Sequence, residues 1–153
     1  MSANGITLRL LPFVALGGAL GSGLRHGLQL LLGEPGGALM PIGIEATLTA
    51  NLLGSLLIGA LAVSMRWHES LKGRVAVQAF LLTGLLGGFT TASVFSLELL
   101  MLLESDQAGL ALAYGLCTFL SCLLAAAIGY WLAWRVLRRP GLRRLARIRR
   151  RSS

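Results

Sequence analysis

The chain has 153 residues, 55% of them hydrophobic and only 13% charged, with a mean hydropathy of +0.74. Soluble domains carry about 25% charged residues, so this composition excludes an ordinary soluble globule and indicates a membrane protein of one domain. A net charge of +8 would suit a nucleic-acid binder, but nine of the fourteen Lys and Arg lie in the last 19 residues, so the basic character belongs to a tail.

Four apolar runs follow in order, at about 8–32, 42–65, 75–103 and 110–137. Each meets or exceeds the ~20 residues that a spanning helix needs. The fold class expected is an all-α membrane protein of four transmembrane helices. Residues 1–140 form the transmembrane domain and 141–153 an Arg-rich cytoplasmic tail. The first run lacks a convincing cleavage region and is followed by three more, which reads as a span and not a signal peptide. Short connections rich in Gly, Pro and charge (GEPGGALMP, RWHESLKGR and ESDQAG) read as turns. The tail places Leu142, Leu145 and Ile148 at helical spacing among arginines. It reads either as a short helix on anionic lipid headgroups or as a plain topogenic tail.

Four spans put the N-terminus, the second loop and the C-terminus on one side, together with every Lys and Arg except Arg25. The opposite loops carry only Glu34, Glu104 and Asp106. The positive-inside rule then predicts that both termini are cytoplasmic, in a bacterial inner membrane. Cys117 and Cys122, five apart in one run, point in different directions on a helix and predict no mutual disulfide. Two histidines without cysteine or carboxylate at ligand spacing give no zinc site.

The first run holds GGALGSGLRHG, where Gly17 with Gly21 and Gly23 with Gly27 make two small faces for close helix approach. Arg25 lies one turn beyond Gly21 and has two readings, a vestibule charge or a side chain snorkelling to the interface. In the second run, Thr47, Asn51, Ser55 and Gly59 recur at steps of four, as either a tight interface or a conduit wall. The third run is interrupted by TGLLGGFTTASVFSLE, residues 83–98. Unpaired backbone costs several kcal/mol in hydrocarbon, so a broken helix survives only inside protein or beside a watery path. Within it, Thr91, Phe95 and Glu98 share a face. Phe95 offers a positive ring edge, and Glu98 needs a partner or water. In the fourth run Tyr114, Thr118 and Cys122 recur at steps of four beside Ser121, as a lining or as back-bonds to helix carbonyls.

These motifs, GGALGSGLR, TLTANLLGSLLIG and GLLGGFTTASVFSLE, resemble in order the CrcB/Fluc family of bacterial fluoride channels. The resemblance implies an antiparallel dimer of four-helix subunits, homodimeric or heterodimeric, with narrow fluoride pores along the subunit interface. It also implies a structural sodium ion, not transported, on backbone carbonyls where the third helices break. Carried over by motif position, the sodium ligands are the Gly87 and Thr90 carbonyls. The pore residues are Asn51, Ser93, Phe95, Tyr114 and Thr118, with Arg25 in the vestibule and Glu98 near the path. The implied activity is passive fluoride efflux that lowers fluoride toxicity, with membrane lipid as the other partner and no enzymatic chemistry. Where the family pattern reads TTFSTF this chain reads TTASVF, so Ala92 stands for a phenylalanine and Val94 for a threonine. The competing readings are a small proton-coupled multidrug exporter, which wants a deep carboxylate early in the chain, and a non-conducting assembly subunit.

Overall fold

The computed structural model describes residues 3–32, 43–67 and 75–138. Among them the chain is helical throughout, without strands. Helix α1 spans Ala3–Leu32 and α2 spans Ile44–Trp67. The third run is composite. A short α3 (Val75–Gln78) passes into a π-helical stretch (Ala79–Leu86) and a last turn, α4 (Gly87–Phe89). After an interruption the run resumes as α5 (Ala92–Glu104), and α6 covers Ala108–Leu137. Among the described residues three segments, Ile44–Arg66, Val75–Glu104 and Ala108–Leu137, are long and apolar enough to cross a membrane; α1, the first of the four expected spans, is not among them. The first helix begins before its apolar run, because helical hydrogen bonding does not stop where hydropathy falls. The basic tail, and the first two connections with Glu34, Lys72 and Arg74, lie outside the described residues.

Packing pairs α2 with α6, and α1 with the π stretch and α4. Glycines set both crossings. A Cβ at Gly59 would strike the Ala126 carbonyl oxygen, and one at Gly129 the Leu56 carbonyl oxygen, so α2 and α6 meet backbone to backbone. On α1, a Cβ at Gly17 would strike the Phe80 oxygen and one at Gly21 the Leu85 oxygen, while Gly23 and Gly27 face open space. Only one of the two small faces of α1 is therefore used within the described residues. The α5–α6 connection is a Schellman turn. The Gln107 amide donates to Leu102 O (2.9 Å) and the Asp106 amide to Leu103 O (3.2 Å), with Asp106 at φ 58. Asp is among the few side chains that tolerate this left-handed conformation.

The buried core is small. Ile44, Leu102, Ala111 and Tyr114 cluster with Phe95, Leu99 and Leu110 packed against them. Most large apolar side chains face outward instead, among them Leu31, Leu112, Phe119 and Leu124. Such a surface suits lipid or a second subunit.

Candidate functional site

The interruption falls at Thr90 (φ −80, ψ 156) and Thr91 (φ −146, ψ 122), both extended. The adjacent glycines are not themselves the break. Gly87 is helical (φ −64, ψ −34), and a Cβ on Gly88 would press on the Gly18 backbone. Glycine is needed there for close approach to α1, while the threonines turn the chain. Thr91 is a good N-cap, and its Oγ1 accepts from the Val94 amide at 3.2 Å. Thr90 Oγ1 folds back to donate to Leu86 O at 2.9 Å.

Asn51 reaches the break from α2. Its Oδ1 accepts from the Thr91 amide (2.8 Å) and its Nδ2 donates to the Thr91 carbonyl (3.0 Å). A carboxamide thus satisfies both backbone groups of one residue, as a neighbouring strand would. Beside this bridge lies a cavity of about 330 Å³ between α2, the break and α6. Asn51, Thr90, Thr91, Phe95 and Thr118 line it together with Ala92, and Gly54, Ser55, Ile58, Phe119 and Cys122 complete the wall. No Lys, Arg, Asp or Glu belongs to the lining. Thr118 is only 5% exposed, and its Oγ1 is the one buried side-chain polar atom among the described residues without a hydrogen-bond partner.

One layer deeper, Glu98 is 1% exposed and accepts two hydroxyl bonds, from Thr47 Oγ1 at 2.7 Å and Tyr114 OH at 2.6 Å. The Tyr114 ring also packs on Phe95, with centroids 5.2 Å apart and planes tilted by 58°. Glu98 and Tyr114 therefore support the cavity wall and do not belong to it.

The structure brings Asn51, Phe95 and Thr118 of the expected pore residues to one cavity, with Thr90 of the expected ligand pair. Ser93 is exposed, its Oγ 3.3 Å from Thr91 Oγ1. Arg25 is partly buried on α1, outside the cavity lining, and forms no ion pair among the described residues. The two readings of the fourth-run hydroxyls divide. Ser121 back-bonds to Cys117 and Thr118 carbonyls, whereas Tyr114 and Thr118 do not back-bond. Both cysteines are free. Thr47 as a Glu98 partner, and Ile58 and Phe119 as cavity wall, escaped the sequence reading. Thr47 was visible in the step-of-four stripe, but a lone Ile or Phe in an apolar run carries no signal.

A family model described as CrcB-like protein, Camphor Resistance (CrcB), matches residues 12–130. The chain belongs to the CrcB family. CrcB relatives cover nearly their whole length in the comparison. A Chelativorans sp. protein is 38% identical over 127 residues, 83% of this chain and 98% of the relative. One from Hahella chejuensis is 41% identical over 119 residues, 78% and 90% of the two chains. One from Thermus thermophilus is 44% identical over 117 residues, 76% and 89%. Each is named fluoride-specific ion channel FluC. The family match contains the break, the cavity and the Glu98 network, and ends before the basic tail.

Proposed function

We propose that this chain is a subunit of a fluoride-specific channel that lets fluoride leave the cytoplasm passively. Family membership and the names of its relatives support the reading, and Thr118 Oγ1 is the structural observation that carries it. A buried hydroxyl without a partner is normally avoided. Here Thr118 belongs to the wall of the cavity that Asn51 and Phe95 also line, with its Oγ1 buried behind that wall. Fluoride is small and strongly hydrated, so a path for it must replace water with hydroxyl, amide and ring-edge donors, none binding so firmly that the ion stays. The lining offers such neutral donors and no cation. An inside-negative potential drives an anion outward by ~2.3 kcal/mol per 100 mV, so no energy-coupling machinery is needed. Arg25 and Ser93 serve the approaches, and Tyr114 and Glu98 hold the wall.

The proposed setting is four spans in a bacterial inner membrane, with both termini cytoplasmic and the arginine tail on anionic headgroups. Two subunits pair antiparallel. The Gly87 and Thr90 carbonyls suit a structural sodium ion. They are neutral hard oxygens, the donor type that alkali and alkaline-earth cations take. Their helical partners, the Thr91 and Val94 amides, are engaged by Asn51 Oδ1 and Thr91 Oγ1. When bound, the ion supplies fixed positive charge and a joint between subunits.

An antiparallel homodimer needs a chain that inserts both ways, yet here every basic residue except Arg25 lies on one side of the expected topology. Ala92 also leaves the cavity wall without the ring found in the family pattern. The pairing proposed is therefore with a similar subunit of opposite orientation that supplies the missing ring. Fluoride efflux from liposomes, read with a fluoride electrode, tests the function for this chain alone and with such a partner. Fluoride-selective efflux without a proton gradient is expected. Efflux that requires a proton gradient would establish the exporter, and no efflux in either case the assembly subunit. Labelling of a cysteine placed in the tail tests orientation, and equal labelling from both sides would sink the heterodimer.

A further inference from the structure

Resting on the reading that the Gly87 and Thr90 carbonyls hold a monovalent cation, we propose that Asn51 is a positioning residue for that cation. Its carboxamide keeps those carbonyls free by taking the place of the helix's own hydrogen bonds. In a continuous helix the Gly87 carbonyl accepts from the Thr91 amide and the Thr90 carbonyl from the Val94 amide. Here the Thr91 amide donates to Asn51 Oδ1 at 2.8 Å, and the Thr91 carbonyl accepts from Asn51 Nδ2 at 3.0 Å. That two-point bridge holds Thr91 extended, which sets its Oγ1 to accept the Val94 amide at 3.2 Å. Both amides are thereby withdrawn from the two carbonyls in question.

The alternative open to the backbone is helical closure. Thr91 is only 6% exposed, so its N–H and C=O need protein partners. Without Asn51, the nearest supply is the helix itself, and closing the helix there consumes the Gly87 carbonyl. The bridge comes from α2, so the opening of the third run is a tertiary feature that glycine content alone does not produce. Asn is suited to the task because it offers an acceptor and a donor side by side. Asp of the same shape lacks the donor and places charge against the Thr91 carbonyl, and Leu lacks both groups. One amide hydrogen of Asn51 is left over. The residue also lines the cavity, so a single side chain links the cation site to the anion path.

The test uses the full chain purified in detergent, titrated with sodium chloride against choline chloride. The readouts are the unfolding midpoint and hydrogen exchange of the segment 83–98. Sodium should raise the midpoint of the wild type, as a ligand of the folded state does. Asn51→Asp and Asn51→Leu should shift the half-saturating sodium concentration upward by about 10- to 100-fold, the usual effect of removing a residue that orients a metal's ligands. Exchange at the Thr91 amide should stay slow, because the closed helix gives it the Gly87 carbonyl as acceptor. Ser121→Ala, which removes only a back-bond, should leave the titration unchanged. Because an apolar group at position 51 threatens folding, Thr91→Val is the second arm. It removes the Oγ1 that holds the Val94 amide and should shift the titration in the same direction. A wild-type sodium titration in the Asn51 variants would overturn the positioning role alone. A wild type that shows no sodium response would overturn the cation reading as well.

Discussion

The most direct energetic test lies beneath the cavity, where Glu98 accepts from Thr47 at 2.7 Å and from Tyr114 at 2.6 Å. Thr47→Val and Tyr114→Phe each delete one donor with almost no change in shape. Leaving a buried acceptor without one of its donors costs about 1–3 kcal/mol, whereas interhelical polar bonds in membranes average ~0.6 kcal/mol because the unfolded chain also finds partners. With Glu98 only 1% exposed, the larger range should govern in part, and each single variant should lose about 1–2 kcal/mol. The double variant leaves a buried carboxyl with no hydroxyl at all. It should lose more than the sum of the singles, by about 1 kcal/mol or more. Glu98→Gln keeps an oxygen acceptor, and either hydroxyl can rotate to accept from the new amide, so it should lose less than the double variant. Equilibrium unfolding of the four variants and the wild type in one detergent measures these differences. Additive losses, or singles within about 0.3 kcal/mol of wild type, would refute the claim that Glu98 is held jointly by the two hydroxyls.

At the α2–α6 crossing, Gly59→Ala and Gly129→Ala each drive a methyl into a backbone carbonyl and should lose about 1–3 kcal/mol in the same unfolding assay. Gly109→Ala, with nothing within 4 Å of its added carbon, should be neutral or stabilising by up to ~1 kcal/mol. Thr118→Val removes an unpartnered hydroxyl, so stability should hold or rise slightly while liposome fluoride flux falls about tenfold or more. Unchanged flux would remove Thr118 from the path. Ala92→Phe returns a ring to the cavity wall and should raise the flux of this chain assayed alone. No gain would show that the missing ring is not what limits the single subunit.

Lipid and tight packing both demand long apolar stretches, and three of the four runs read from hydropathy have the length and apolarity of a membrane span among the described residues. Hydropathy placed the composite third run only coarsely. GlyGly marked the neighbourhood of the break, yet Gly87 and Gly88 are helical and the extended residues are Thr90 and Thr91. Glycine signals permission for close approach as well as for bending, and nothing local distinguishes the two uses. The π-helical stretch over Ala79–Leu86 left no mark in AFLLTGLL, because a shift from i+4 to i+5 bonding changes neither composition nor polarity. At the site, Asn51, Phe95 and Thr118 were legible as polar or aromatic positions on shared helix faces. Their division of labour was not. Whether Tyr114 lines a cavity or braces a carboxylate depends on the relative rotation of α5 and α6, a tertiary quantity that no single run encodes.

That division of labour follows from which buried groups are paired. Thr47 and Tyr114 are committed to Glu98, Thr90 to Leu86, Thr91 to Val94, and Asn51 to both backbone groups of Thr91. Each pairing crosses elements or closes the break, so it fixes α2, α5 and α6 relative to one another. The glycine crossings do the same for backbone separation. Thr118 Oγ1 stands outside this network although it is as buried as its members. Shielding a hydroxyl from its surroundings without a partner costs about 1–3 kcal/mol. The frame can sustain that penalty because the hydroxyl hydrogens of Thr47, Tyr114 and Thr90 are already committed, so none can be donated to Thr118 without giving up a bond. An anion entering the cavity would recover it, and a neutral donor recovers only enough to admit the ion without trapping it. The frame's rigidity and the vacancy at Thr118 are therefore one property, and loosening the Glu98 network should weaken fluoride passage even though Glu98 does not line the cavity.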